Sequence, residues 1–115
     1  VRLVAASQRL STAVLEERLE ARPRGGALQQ NFPNPFNGET VFRFELPQRR
    51  EVELAVYNLS GQRVATLAAG VREAGVFQVH WDGRDEKGRP LASGVYLYRL
   101  QAGEWVEMRK LVLLR

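Results

Sequence analysis

Leu28-Gln29-Gln30-Asn31-Phe32-Pro33-Asn34-Pro35-Phe36-Asn37 is the stretch whose reading decides the fold. Two prolines without N–H groups fit neither a helix interior nor a central strand, and each pushes its predecessor into an extended conformation. Asn34 between them, and Asn37 before Gly38, belong to a residue type that bonds its own backbone and shapes turns. Phe32 and Phe36 flank this stiff corner as two large apolar plugs. A segment so rigid and so apolar is expected to open a domain by pinning its first strand to a core. Residues 1–27 then read as an arm or linker, and residues 28–115 as one small β domain.

Beyond the corner the apolar period is two, as on a half-buried strand. Phe42, Phe44 and Leu46 alternate with Arg43 and Glu45 until Pro47 ends the run. Val52, Leu54 and Val56 alternate with Glu51 and Glu53, and Phe77, Val79 and Trp81 with Gln78, His80 and Asp82. Asn58-Leu59-Ser60-Gly61 marks a turn, Gly70 and Gly75 bracket a short connection, and Ala102-Gly103 makes a hairpin. About seven short strands with turns every ~8–12 residues predict an all-β, antiparallel Ig-like sandwich. Its last strand differs from the others. Leu111-Val112-Leu113-Leu114 is apolar on both faces, so it is expected either to be buried on both sides or to be covered by a partner. Ending free at Arg115, it is open to fraying or to capture by another protein.

The first 26 residues are less decided. Val1 to Ala6 fits a short strand. From Ser11 to Arg22, Leu15 and Leu19 stand four apart as on a helix face, with Ser11 as a possible N-cap. Ala13, Leu15, Leu19 and Ala21 also share strand parity, so both readings stand. Pro23-Arg24-Gly25-Gly26 then breaks the chain as a hinge. The chain opens on Val1 rather than Met, as expected of a processed product or of a piece of something longer.

Composition narrows the function classes. At 115 residues the chain is one domain with an extension, and 28–115 would bury roughly 60–65% of its unfolded surface. There is no cysteine for disulfide or thiolate chemistry, and no apolar run approaches the ~20 residues of a membrane helix. The net charge of +4 comes from arginines interleaved with glutamates along the strands, which reads as a solvated sheet face rather than a nucleic-acid footprint. Asp82, Asp85 and Glu86 are hard oxygen ligands of the calcium type, but they lack the rhythm of an EF-hand loop, and such residues also simply make turns. His80 is the single histidine, and nothing in the pattern brings a nucleophile and a carboxylate to it. Trp81, Trp105, Tyr57, Tyr96 and Tyr98 would make a sugar platform if exposed together, or else core and cross-strand pairs. Asn58-Leu59-Ser60 matches a glycosylation sequon and reads as a turn. No catalytic, cofactor or metal residues are expected.

Several of these motifs, in this order, resemble a known family. The stretch Gln30 to Asn37 is similar to the opening of the C-terminal sorting domains carried by cargo of the type IX secretion system. So are Val56-Tyr57-Asn58-Leu59-Ser60-Gly61-Gln62-Arg63-Val64, Trp81-Asp82-Gly83-Arg84-Asp85 through Gly88-Arg89-Pro90, and Ala92-Ser93-Gly94-Val95-Tyr96. The basic-then-apolar finish Arg109-Lys110-Leu111-Val112-Leu113-Leu114-Arg115 matches too. The tryptophan-to-tyrosine part also resembles the Ig-like module of flagellar hook-capping proteins. Gly38-Glu39 departs from the family's usual Pro-Ser, which should loosen the first turn.

The resemblance implies a non-catalytic address on an exported protein, secreted or at the cell surface of a Gram-negative bacterium. Its partner would be the outer-membrane secretion machinery. The residues it marks for recognition are Asn34, Pro35, Phe36 and Asn37 in the corner, with Lys110, Leu111, Val112, Leu113, Leu114 and Arg115 in the final strand. Residues upstream to Gly26 resemble the linker in which such domains are cut from their cargo. Two other readings remain. One is a subunit of an extracellular filament whose arm, through Leu15 and Leu19, donates a strand to a neighbouring copy. The other is a carbohydrate-binding appendage resting on the aromatic residues.

Overall fold

A computed structural model describes residues 27–115. The readings of Val1–Ala6, of Leu15 and Leu19, and of the Pro23–Gly26 hinge lie outside the described residues.

Seven strands follow in order: β1 (Ala27–Leu28), β2 (Thr40–Leu46), β3 (Arg50–Tyr57), β4 (Arg63–Arg72), β5 (Gly75–Trp81), β6 (Gly94–Ala102) and β7 (Trp105–Leu113). They form a three-stranded sheet, β1-β2-β5, against a four-stranded sheet, β4-β3-β6-β7, with every pair of neighbours antiparallel. This is the expected Ig-like sandwich.

The alternation read in the sequence sets the inner faces. Phe42, Phe44 and Leu46 of β2 face Val52, Leu54 and Val56 of β3 and Tyr96, Tyr98 and Leu100 of β6 in one buried cluster. Phe42 meets Tyr98 edge to face at 4.7 Å between ring centroids, and Phe44 stacks on Phe77 at 5.4 Å. Such ring pairs add about 0.5–1.5 kcal/mol each beyond area burial.

The structure corrects the sequence reading in three places. Gly70 does not mark a connection. β4 runs on to Arg72, leaving Glu73 and Ala74 as the turn. Gly70 pairs with Val52 inside the strand at φ +112, a conformation that suits glycine, and the β3–β4 register shifts twice, between Leu54 and Ala55 and between Val56 and Tyr57.

The two phenylalanines of the corner are not equivalent. Phe36 is 2% exposed and packs 5.8 Å from Trp81, whereas Phe32 is 78% exposed. Both Phe32–Pro33 and Asn34–Pro35 are cis.

The final strand is neither free nor frayed. Leu111 and Leu113 are fully buried, and the outer edge beyond them is occupied by the corner itself. Phe36 N–H donates to Val112 O at 3.0 Å, Leu114 N–H donates to Phe36 O at 2.9 Å, and Val112 N–H donates to Asn34 Oδ1 at 2.9 Å.

The two corner phenylalanines therefore differ in what they hold. Phe36→Ala is expected to cost about 3–5 kcal/mol in urea denaturation, and Phe32→Ala less than about 0.5 kcal/mol. Similar losses for both would mean that the corner packs in some other way.

Candidate recognition site

The residues proposed from sequence for recognition come from two stretches 78 residues apart, and the fold joins them. Besides the bonds of Phe36 and Asn34, Gln30 Nε2 donates to Lys110 O at 2.8 Å. Phe36 and Leu113 form a parallel bridge, whereas the other pairings among the described residues are antiparallel. The corner thus acts as a short extra strand on the outer edge of β7.

Within this seam the named residues divide by exposure. Phe36, Leu111 and Leu113 are core, so a partner cannot touch them while the domain is folded. Asn34, Pro35, Asn37, Lys110, Leu114 and Arg115 are exposed, and Val112 is half-buried. The backbone N–H and C=O of Val112 and the N–H of Leu114 on this edge are already bonded to the corner.

Three supports of the seam are not evident from the sequence. The first is a buried polar knot. Asn31, 1% exposed, donates through Nδ2 to Pro33 O at 3.2 Å and to Thr40 Oγ1 at 3.0 Å. The Thr40 hydroxyl donates to Pro33 O at 2.8 Å.

The second support is Tyr98. Its hydroxyl donates to Gln29 O at 2.8 Å and accepts from Asn31 N–H at 2.9 Å. Burial pushes the phenol up to about 12, against the pull of the Asn31 N–H.

The third support is Arg115. Its backbone N–H donates to Ser93 Oγ at 2.7 Å, Nε to Leu91 O at 2.6 Å and Nη2 to Gly83 O at 2.6 Å. Gly83 sits at φ +77, and a Cβ there would lie 2.8 Å from that Nη2. Glycine suits this position because of its positive φ and leaves room for the Arg115 guanidinium.

The loop bonded by Arg115 also carries the acidic residues. Asp85 Oδ1 accepts from the Lys87 and Arg89 N–H groups at 2.9 Å each, and Oδ2 accepts from Arg89 Nε at 3.0 Å. The Arg89 N–H is foremost in holding its carboxyl below the usual range. Glu86 accepts from Thr66 Oγ1 at 2.9 Å, and Asp82 lies 3.4 Å from Arg84 Nε. These carboxylates build the loop, and no group of three or more metal-ligating side chains occurs among the described residues.

The aromatic platform does not assemble. Trp81, Tyr96 and Tyr98 are buried, Trp105 packs against the core, and Tyr57 lies under the Arg63 and Arg99 guanidiniums at 5.9 and 5.3 Å. Glu51 and Glu53 line one hollow but sit side by side on a single strand, and Glu53 is held by Arg63 at 2.8 Å and Arg99 at 3.6 Å. His80 is exposed, 3.6 Å from Glu39. No helix is long and apolar enough to cross a membrane among the described residues.

Two antiparallel sheets packed face to face, closed along one seam by a proline corner, define an Ig-like module. Residues 30–104 match the model of the FlgD Ig-like domain, and the chain belongs to that family. No curated protein matches it. Among solved structures it is similar to dimeric latent PorU from Porphyromonas gingivalis, with a TM-score of 0.65 and 19% identity over 82% of this chain and 10% of PorU. It is also similar to PorZ, described as an essential surface component of the type-IX secretion system of Porphyromonas gingivalis, with a TM-score of 0.53 and 17% identity over 79% of this chain and 12% of PorZ. The chain thus spans about a tenth of either protein, and the likeness is one of fold.

The Tyr98 bonds yield a pH signature. The folded-state value near 12 lies above the ordinary 10, so the contribution of the protonated phenol is complete below pH 10 and is lost as pH rises toward 12. Tyr98→Phe should remove that decline and cost about 1–3 kcal/mol at neutral pH, since it strands the Asn31 N–H and the Gln29 carbonyl. Ultraviolet titration of tyrosine together with denaturation at two pH values checks both.

Proposed function

We propose that residues 28–115 are a non-catalytic sorting and surface-attachment module of an exported bacterial protein, with residues 1–27 as its linker. One observation carries the reading most. The two stretches that resemble the sorting family's opening and finish interlock into one seam, although they lie at opposite ends of the domain. The fold shared with PorU and PorZ, the latter described as part of the type-IX system, supports the same direction.

In this reading the outer-membrane machinery contacts the exposed side chains along the seam. Phe32, Pro33 and Pro35 in the corner, and Lys110 and Leu114 at the end of the domain, are exposed and offer apolar side chains with one basic group. Phe36, Leu111 and Leu113 anchor the same two stretches in the core. The filament reading rests on Leu15 and Leu19, and no contact among the described residues favours it.

The test is a secreted reporter fused ahead of the full chain in a bacterium that carries the type IX machinery. Surface display is expected, and a reporter left in the periplasm would overturn the proposal. Phe32→Ser combined with Leu114→Ser should cut display about tenfold or more while leaving the melting temperature within a few degrees, since both side chains are exposed. Undiminished display of this double variant would remove the seam from the mechanism.

A further inference from the structure

A sandwich of this kind has four strand edges, and three of them are closed among the described residues. The β1 side is tied to β7 by side chains, with Arg109 Nε donating to Leu28 O at 2.9 Å and Leu28 N–H to Glu107 Oε1 at 3.3 Å. The second half of β7 is covered by the corner, and its first half carries Glu107, Arg109 and Lys110. β4 is broken by its two register shifts and Gly70, and Glu86 N–H bonds Val64 O at 3.2 Å on its outer side. Bulges, charges and covering segments are the ordinary means of blunting an edge.

The remaining edge has none of these. β5 (Gly75–Trp81) pairs with β2 in unbroken register, and no described strand pairs with its other side. Alone among the six longer strands it contains no Asp, Glu, Lys or Arg. Val76 is 51% exposed, and Phe77 and Val79 stay only half-buried although they face inward.

We propose that β5 is an interface with a second copy of this chain, the two β5 strands pairing antiparallel about Gln78. The strand is complementary to itself in that register. Gln78 meets Gln78, Phe77 meets Val79 on the core face, and Val76 meets His80 on the outer face. Trp81 stands opposite Gly75, where there is no side chain to oppose the indole. Aromatic with β-branched residues is a favourable cross-strand pair, and no like charges oppose one another. An isologous contact of this kind closes after two copies, joining two three-stranded sheets into one of six. This interface is independent of the seam and of the sorting role.

The absence of cysteine makes a clean test. Directly opposed residues lie about 4.5–5.5 Å apart between Cα atoms, within disulfide reach. In the full chain, Gln78→Cys should form a covalent dimer under mild oxidation at least about tenfold faster than Glu104→Cys in the exposed β6–β7 turn. The unmodified chain should sediment as a dimer at concentrations of about 100 µM. Gln78→Lys, which sets two ammonium groups face to face, should return it to monomer with its melting temperature kept. Equal cross-linking at the two positions, or a monomer at every concentration, would overturn the proposal, whether the edge is bare or filled by another segment.

Discussion

The bonds between the proline corner and the last strand constrain everything else in this domain. β7 would otherwise end the four-stranded sheet with bare backbone beside two fully buried leucines, Leu111 and Leu113. An uncovered edge there would leave N–H and C=O groups competing for water next to the core. Phe36 supplies both a donor and an acceptor to β7, and Asn34 supplies a side-chain acceptor. Proline suits this position because such a segment needs only one bonded side, and a missing N–H on the other side costs nothing.

The same seam explains why side chains that look unremarkable in the sequence sit deep in the structure. Asn31 and Thr40 are the only buried polar residues among those described, and both bond the backbone of the corner. Tyr98 contributes its ring to the core against Phe42 and its hydroxyl to the backbone of residues 29–31. A buried polar group stabilises only when its partners are in place, so these three residues fix one geometry for the corner rather than several. At the far end, Arg115 does for the loop of residues 82–91 what Phe36 does for β7.

The sheets were legible in the sequence because strand alternation is a local signal. Phe42, Phe44 and Leu46, or Val52, Leu54 and Val56, declare their inner face within one strand. The seam was legible only as two separate motifs, since Asn34 and Val112 are 78 residues apart and nothing local says that they meet. Asn34 read as a residue bonding its own turn, whereas its side-chain Oδ1 accepts from a distant strand. Phe32 and Phe36 were alike by residue type, and only the path of the corner decides that one is covered and the other bare. The last strand reads as apolar on both faces, but only Leu111 and Leu113 are buried, while Val112 is half-buried and Leu114 is exposed. What the corner covers is the edge of that strand, through backbone bonds.

That last point changes how the domain could carry an address. A free strand would be readable as soon as it was extended, folded or not. Here the apolar side chains of Leu111 and Leu113 are withdrawn into the core, and the exposed side chains along the seam come from both ends of the domain. Arg115 in turn bonds the loop of residues 82–91 through Leu91 O and Gly83 O. Under the proposed function, a receptor reading these exposed side chains would therefore read the folded domain as well as its sequence. Opening the seam would part Asn34 and Phe36 from Val112 and Leu114 and so disperse that surface.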